Sequence, residues 1–410
     1  MTERFQAPRG THDVLPADGT WWGLVAAIEE TLRTHGWRRI QTPGFEDTGL
    51  FARTSGEASD VVHKEMYTFT DRGDRSLTLR PEGTAPICRA YLEHGMQREP
   101  QPVKAYTIAP MYRYGRPGRG RFREHWQASV EAIGSDDPVI DAEVIGVYAE
   151  ILRRLGVTQW ELHLNSIGDA NCRPAYVARL NEWLDAHEEL LGEEGRHKRA
   201  TSPLQVFDVK DPKLRQALES APKIGDSLCD ACQAHFDEVK RALEHLGIPY
   251  VLDPTLVRGL DYYSRTTFEF IGPDENANST ICGGGRYDGL IEQIGGPPTP
   301  GIGFGAGIER LMLALENEDI TLGGEALDVF VVVDGGERAR AQTILQELRR
   351  GGVAADMDYA GRSVKGQLTQ ATRTGARAVV ILGPDGATIR RDGAQDEAVA
   401  LDDVVATLNA

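Results

Sequence analysis

The 410-residue chain has 40% apolar residues, a formal net charge of −17 and five cysteines. Its length exceeds what one hydrophobic core organises, so two or three folding units are expected. No apolar run reaches the roughly 18 residues of a membrane span, and the opening MTERFQAPRGTHD lacks the apolar core of a secretory signal, so a cytoplasmic protein without membrane contact is expected.

The acidic balance argues against general affinity for nucleic acid, because polyanion binding draws on Lys and Arg against phosphates. Local composition is different. RSLTLRPEGTAP is a strand candidate that runs into Glu82 and Thr84, placed at a strand end before a helical stretch. A carboxylate beside a hydroxyl there can receive a substrate ammonium, although each residue alone serves as readily as a helix cap. VKAYTIAP and FREHWQASVEAIG then alternate as strands on either side of RYGRPGRGRFR, a loop with five arginines, three glycines and no acid. With a period of two, Arg123, His125, Gln127, Ser129 and Glu131 share one face of the second strand, while Trp126, Ala128, Val130 and Ala132 share the other. The apolar face belongs to a core. The polar face carries too many hydrogen-bonding groups in register to be simply covered, and it reads as the floor of a pocket for a polar ligand.

Cys88, Cys172, Cys229, Cys232 and Cys282 are an odd, sparse set that makes no disulfide framework. Cys229 and Cys232 form one CxxC in LCDACQAHF. Four ligands complete a zinc site, and no second CxxC or close His pair supplies them; His235 is the nearby third candidate. The CxxC is read as small residues at a helix start, and no protein metal site is expected. Farther on, LVRGLDYYSRTTFEF gathers Arg258, Asp261, Tyr262 and Tyr263, and CGGGRYDGL places three glycines before Arg286 and Tyr287. GIGFGAGIERLMLAL then leads into a helix with Arg310 in its first turns. Its glycines permit close backbone approach, but GIGFGAG matches a dinucleotide fingerprint only by letter count. From Leu327, LDVFVVVD, a helix to Gly351, the helical SVKGQLTQATRTG and the strand RAVVILG alternate as in a small α/β domain.

These stretches together resemble the class II aminoacyl-tRNA synthetases, and specifically the histidyl-tRNA synthetases. TWWGLVAAIEETLRTHGWRRIQTP resembles the first class motif, a long helix and strand ending in Pro43 that serve dimerisation. LRPEGTA resembles the amino-acid loop, and the hairpin with Arg113 and GIGFGAGIERL resemble the second and third motifs. LVRGLDYY and GGGRYDGL resemble the two stretches that set the histidine enzymes apart. The resemblance covers nearly the whole chain.

It implies an α/β protein, α+β in its catalytic core: a mostly antiparallel sheet flanked by helices over residues 1–325, a helical insertion at about 181–248, and an α/β anticodon-binding domain over 326–410. It implies ATP-dependent activation of L-histidine to histidyl-adenylate, transfer to the 3′ end of tRNA(His), and a homodimer. Glu82, Thr84 and Gln127 then suit the substrate ammonium. Glu131 with Tyr262 or Tyr263 suits the imidazole, whose two nitrogens need fixed donors and acceptors. Arg113 and Arg258 flank the α-phosphate as the catalytic pair. Arg121 and Arg123 contact outer phosphates or support the loop, and Arg310 and His125 sandwich adenine. Mg²⁺ accompanies ATP through its phosphates. Arg116 and Arg119 of the loop, with Arg362, Lys365 and Arg373 of the last unit, are the expected tRNA contacts. The sequence departs from the family pattern at Gly115, where most relatives carry a glutamate near the adenine amino group, and at Gly118, where they carry a glutamine approaching the acceptor end. Two alternatives stand beside this reading: the silent relative that acts as a regulatory subunit in histidine biosynthesis, and a dimeric scaffold that binds a small molecule.

Overall fold

The computed structural model describes residues 4–55, 64–259, 262–273, 280–323 and 326–409. The chain divides into two compact units, Met1–Leu322 and Gly323–Ala410.

In the first unit α1 (Gly19–Thr34) leads through β1 (Arg38–Arg39), β2 (Phe45–Asp47), α2 (Thr48–Ser55), β3 (Tyr67–Thr70) and β4 (Ser76–Leu79) to α3 (Thr84–Glu93). The hairpin of β5 (Val103–Tyr112) and β6 (Glu124–Ile133) follows, then α4 (Pro138–Leu155) and β7 (Glu161–Ser166). The helices α5 (Arg173–Ala186), α6 (Gly192–Thr201), α7 (Pro212–Leu218) and α8 (Asp230–His245) precede β8 (Val251–Leu252), β9 (Ser264–Ile271), β10 (Thr280–Arg286), α9 (Leu290–Gln293), β11 (Gly301–Gly307) and α10 (Ile308–Asn317). Eight strands form one sheet in the order β1-β5-β6-β11-β10-β9-β7-β8, antiparallel except at its two outer pairs. The strand in RSLTLRPEGTAP lies instead in a small sheet, β2-β4-β3.

The alternation in β6 decides what each face of the large sheet does. Ala128, Val130 and Ala132 point into a core with Trp21, Leu24, Ile28 and Leu32 of α1, Val144, Tyr148 and Ile151 of α4, and Leu311 of α10. The α1 residues recur at the three- and four-residue spacing of one helix face. α4 is delimited by chemistry visible in the sequence: the Asp137 side chain accepts from the Val139 N–H, Pro138 occupies the first turn, and Gly156 closes it in the left-handed region at φ +78°. A buried ion network ties the sheet to two helices. Arg286 at the end of β10 donates to Asp141 of α4 and to the carbonyls of Ser135 and Asp137, and His235 of α8 lies 2.8 Å from Asp141 through Nε2. Arg286 is thereby committed to structure.

The second unit has β12 (Val329–Val333), α11 (Arg338–Arg350), β13 (Ala355–Met357), α12 (Val364–Arg373), β14 (Ala378–Leu382), β15 (Ala387–Arg391), β16 (Glu397–Val399) and α13 (Val404–Asn409). Its sheet order is β13-β12-β14-β15-β16, parallel among the first three and antiparallel beyond. The unbroken apolar run of β12 is explained by burial on both faces: Val329 and Val331 pack with Ile344 and Leu348 of α11, Phe330 and Val332 with Ala371 of α12.

Candidate active site

The opposite face of the large sheet, near the tip of the β5–β6 hairpin, holds a cavity of about 320 Å³. His125 and Gln127 of β6 form part of its floor, and the neighbouring strands are glycine-rich because those side chains need the room. A Cβ at Gly305 would lie 2.8 Å from Gln127 Nε2, one at Gly303 would lie 1.8 Å from Glu131 Oε2, and one at Gly283 would lie 2.4 Å from the Arg258 guanidinium. The glycines of GIGFGAG and CGGG thus clear a surface on which polar side chains from β6 and from the segment before β9 can lie flat.

Glu82 and Thr84 meet this floor from the side. Arg80, buried, donates to the carbonyls of Thr42 and Pro110 and so fixes the turn before α3. The Glu82 carboxylate accepts from the N–H groups of Thr84 (2.6 Å) and Ala85 (3.0 Å), and so caps α3 while still lining the cavity. Burial pushes its carboxyl above the ordinary range against those two N–H groups. The Thr84 hydroxyl donates to Glu131 at 2.6 Å.

Glu131 lies behind the floor, fully buried, and also accepts from the Tyr287 hydroxyl at 2.6 Å. Tyr262 and Tyr263 line the cavity with ring centroids 4.6 Å apart, and Tyr262 meets Tyr287 edge-on at 6.0 Å. The expected partnership of Glu131 with Tyr262 or Tyr263 is therefore mediated by Tyr287. Burial pushes the Glu131 carboxyl up to about 8, with Thr84 and Tyr287 opposing the rise. Because this pKa is raised in the folded chain, the folded state holds the proton more tightly than the unfolded one. The stability this group contributes is then fully present below the ordinary glutamate range and is lost as pH rises towards about 8. Through Glu131 alone the ligand-free protein is expected to lose up to about 1.4 kcal/mol of stability per pH unit in that window. Glu131→Gln should remove this contribution and leave one of similar slope from Glu309, which burial holds at about 7. Melting curves of the two proteins across that range test the assignment; identical pH dependence would sink it.

The other wall is cationic. Arg113, Arg121, Arg258 and Arg310 all line the cavity. Arg113 Nε donates to Pro81 O at 2.7 Å, Arg310 Nη1 donates to Thr280 O at 2.6 Å, Arg121 pairs with Glu65 at 3.1 Å, and Arg258 pairs with Glu269. Burial, then the charges of Arg113, Arg121 and Arg258, hold the Arg310 guanidinium below its usual range. Burial and Arg113 likewise push His125 down to about 3, so its ring is neutral at ordinary pH. Four guanidiniums around one space form a site for a polyanion, and a neutral imidazole beside them is free to stack.

Not every expected residue reaches the cavity. Arg123 is absent from its lining: its guanidinium stacks 3.9 Å from the Tyr114 ring centroid and Nε donates to Gly115 O, so it braces the loop. Arg116 and Arg119 are exposed on the loop, Arg119 with Glu316 at 3.2 Å. Arg362 pairs with Asp358 before α12, and Lys365 and Arg373 are exposed on that helix, all three in the second unit. Asp261 lies outside the described residues. His235 does not join the CxxC: α8 turns it towards Asp141 in the core, while Cys172 and Asp169 stand beside the two cysteines.

Three polar lining residues, Glu65, Thr280 and Glu309, are not marked out by the sequence. Glu65 lies 3.6 Å from where a Cβ at Gly115 would sit, so a carboxylate occupies that neighbourhood from another part of the chain. Glu309 accepts from the Trp126 N–H at 2.9 Å, and Thr280 donates to Glu269 at 3.1 Å. Glu309 adjoins Arg310 in sequence and was within reach of inference; Glu65 carries no such signal.

The profile of the family described as histidyl-tRNA synthetase matches residues 10–311, and that of the anticodon binding domain matches 328–410. A histidine–tRNA ligase of Desulforamulus reducens is 47% identical over 98% of this chain and 98% of its own. That of Rhodococcus erythropolis is 46% identical over 98% and 96%. The crystal structure of apo S. aureus histidyl-tRNA synthetase matches with a TM-score of 0.83 at 38% identity, covering 99% of this chain and all of that one.

Proposed function

Because the chain belongs to the histidyl-tRNA synthetase family, we propose a division of labour among its residues for that family's reaction. The chain catalyses ATP-dependent attachment of L-histidine to tRNA(His). Glu82, Thr84 and Gln127 take the ammonium. Glu131 reads the imidazole through Tyr287 together with Tyr262 and Tyr263. A pocket that hydrogen-bonds both ring nitrogens rejects amino acids lacking them far more strongly than shape alone does. An oxygen of the histidine carboxylate attacks the ATP α-phosphorus, the bond to the bridging oxygen breaks, and pyrophosphate leaves. Arg113 and Arg258 stabilise the charge that develops on the α-phosphoryl oxygens, Arg121 holds outer phosphates, and Arg310 and His125 enclose adenine. Mg²⁺ enters with ATP on its phosphates. The terminal ribose hydroxyl of the tRNA then attacks the acyl carbon and AMP departs, with no covalent enzyme intermediate.

The observation that carries this reading is the meeting, in one cavity, of four guanidiniums with the small polar end formed by Glu82, Gln127 and Tyr263. Pyrophosphate exchange run with each of the twenty amino acids tests it. Exchange confined to histidine is expected; none, as for a silent regulatory relative or a scaffold, would overturn it. We propose that the protein works in the cytoplasm; among the described residues no helix is long and apolar enough to cross a membrane. We propose a homodimer as well, for which the small sheet offers an apolar surface: Phe45 and Phe69 are exposed and in ring contact at 6.2 Å.

The hairpin loop also sets an expectation for the tRNA. With glycine at 115 and 118 the loop has no amide side chain to read a base; its arginines are expected on phosphates, whose contacts hold without reading, the alternative being that Arg119 replaces the missing base contact. The extra 5′ guanosine usual in histidine tRNA should therefore matter little here. Its removal should lower charging less than about a hundredfold, or about 2.7 kcal/mol, and the loss should shrink as salt rises. Matched transcripts with and without that nucleotide, charged at two salt concentrations, decide it. A larger, salt-independent loss would show that the base is read.

A further inference from the structure

We infer that Asp169, Cys172, Cys229 and Cys232 form a structural site for a divalent cation of the zinc class, at the base of the helical segment between β7 and β8. One ligand atom from each residue lies within 4.8 Å of all the others. Cys172 Sγ is 3.8 Å from Cys232 Sγ and 3.6 Å from Asp169 Oδ1, and Cys229 Sγ is 4.0 Å from the same oxygen. A tetrahedral zinc with metal–sulfur bonds of about 2.3 Å and a metal–oxygen bond of about 2.0 Å has edges of about 3.8 Å between sulfurs and about 3.5 Å between sulfur and oxygen. These three spacings lie within about 0.5 Å of those of a coordination shell. The Cys172–Cys232 spacing is also far too long for a disulfide, whose sulfurs stand about 2.05 Å apart, and all the cysteines are free.

The ligands come as two pairs of the same build. DANC and CDAC each place their donors three residues apart, and the second donor of the first pair and the first donor of the second stand just before α5 and α8. The Asp169 N–H points at Cys172 Sγ at 3.3 Å. Gly168 is in the left-handed region at φ +64°, and a Cβ there would lie 2.5 Å from the same sulfur, so the turn admits glycine and little else. Three thiolates and a carboxylate around a dication leave two negative charges. The N-termini of α5 and α8 and the guanidinium of Arg265, 3.6 Å from Asp169 Oδ2, face that excess. Asp169 Oδ1 lies beside the sulfurs, where it also accepts from the Asn171 N–H at 2.9 Å, and Oδ2 lies towards Arg265 and the Asn171 amide.

A cation here would pin together the two ends of the helical segment. The pin continues into the wall of the cavity: the Arg265 N–H donates to Gly168 O at 2.7 Å, and Arg173 at the start of α5 donates to Tyr263 O at 2.8 Å. The role is structural, since four protein ligands leave no open position for chemistry.

The test uses the full-length protein purified under reducing conditions without added metal. Elemental analysis should find close to one zinc per chain, falling at least tenfold in Cys229→Ser and in Cys232→Ser. Because a variant can be lost to misfolding, the parent protein stripped by chelator is titrated with Co²⁺ as a second measurement. Thiolate-to-cobalt charge transfer and tetrahedral ligand-field bands should appear and saturate at one equivalent, and removing the metal should lower Tm and raise amide exchange in residues 173–245. Absence of both zinc and cobalt–thiolate absorption would overturn the inference. So would zinc that persists in the serine variants, or a metal-free protein in which mass spectrometry finds two of these cysteines joined as a disulfide.

Discussion

Arg258→Ala is expected to lower histidine-dependent pyrophosphate exchange by at least about a hundredfold, equivalent to about 2.7 kcal/mol or more of transition-state stabilisation, while the protein stays folded. The expectation rests on where the guanidinium is held. It lies over Gly283, whose missing side chain is the space it fills, and it is kept there by Glu269. A group fixed in advance needs no reorganisation when charge develops on the phosphoryl oxygens, and that is the condition under which such stabilisation is large. A competing explanation is that truncation merely frees the Glu269 carboxylate to repel ATP, since among the described residues it then keeps the Thr280 hydroxyl alone as a partner. The double variant Arg258→Ala/Glu269→Gln separates the two. If the loss comes from the liberated carboxylate, the double variant recovers most of the rate; if it comes from the missing cation, it stays about as slow as the single one. Exchange by Arg258→Ala within about threefold of the parent would show that the guanidinium has no such role.

What was legible in the sequence was what period and composition encode. The alternation of FREHWQASVEAIG specifies which side chains share a face of β6, because one face is buried against α1 and α4 and a shift of one residue would exchange them. The apolar run of LDVFVVVD specified a strand covered on both sides. Partnerships across the sheet were hidden. Tyr287 reaches Glu131 only because β10 and β11 bring the strand end beside β6, and no local pattern encodes that register. Arg123 alternates in step with His125 and Gln127, yet it stands before the ladder begins at Glu124, where the chain is still turning, and its side chain folds back on Tyr114. Glu65 substitutes in space for a side chain absent at Gly115, a relation between segments fifty residues apart. The same limit applied to the cysteines. CxxC showed half of a ligand set, and the other half, Asp169 and Cys172, arrives through folding, while His235, closer in sequence, is turned into the core by the pitch of α8.

Removing Gly323–Ala410 should leave exchange within about threefold of the parent and reduce tRNA charging on the order of a hundredfold or more. Every described residue that lines the cavity belongs to the first unit, and the second unit has cores of its own. What the second unit offers is surface: Lys365 and Arg373 are exposed on α12, while Arg362 is already paired with Asp358. If that helix holds the anticodon stem through phosphates, the full-length Lys365→Ala/Arg373→Ala protein should show normal exchange and weaker tRNA binding. Its dependence of log K on log salt should also be shallower than the parent's by about 1 for each lost contact. A purely structural role for α12 would predict loss of stability with an unchanged salt slope. Loss of both exchange and charging in a truncated protein that remains folded would defeat the proposed separation of activation from tRNA recognition.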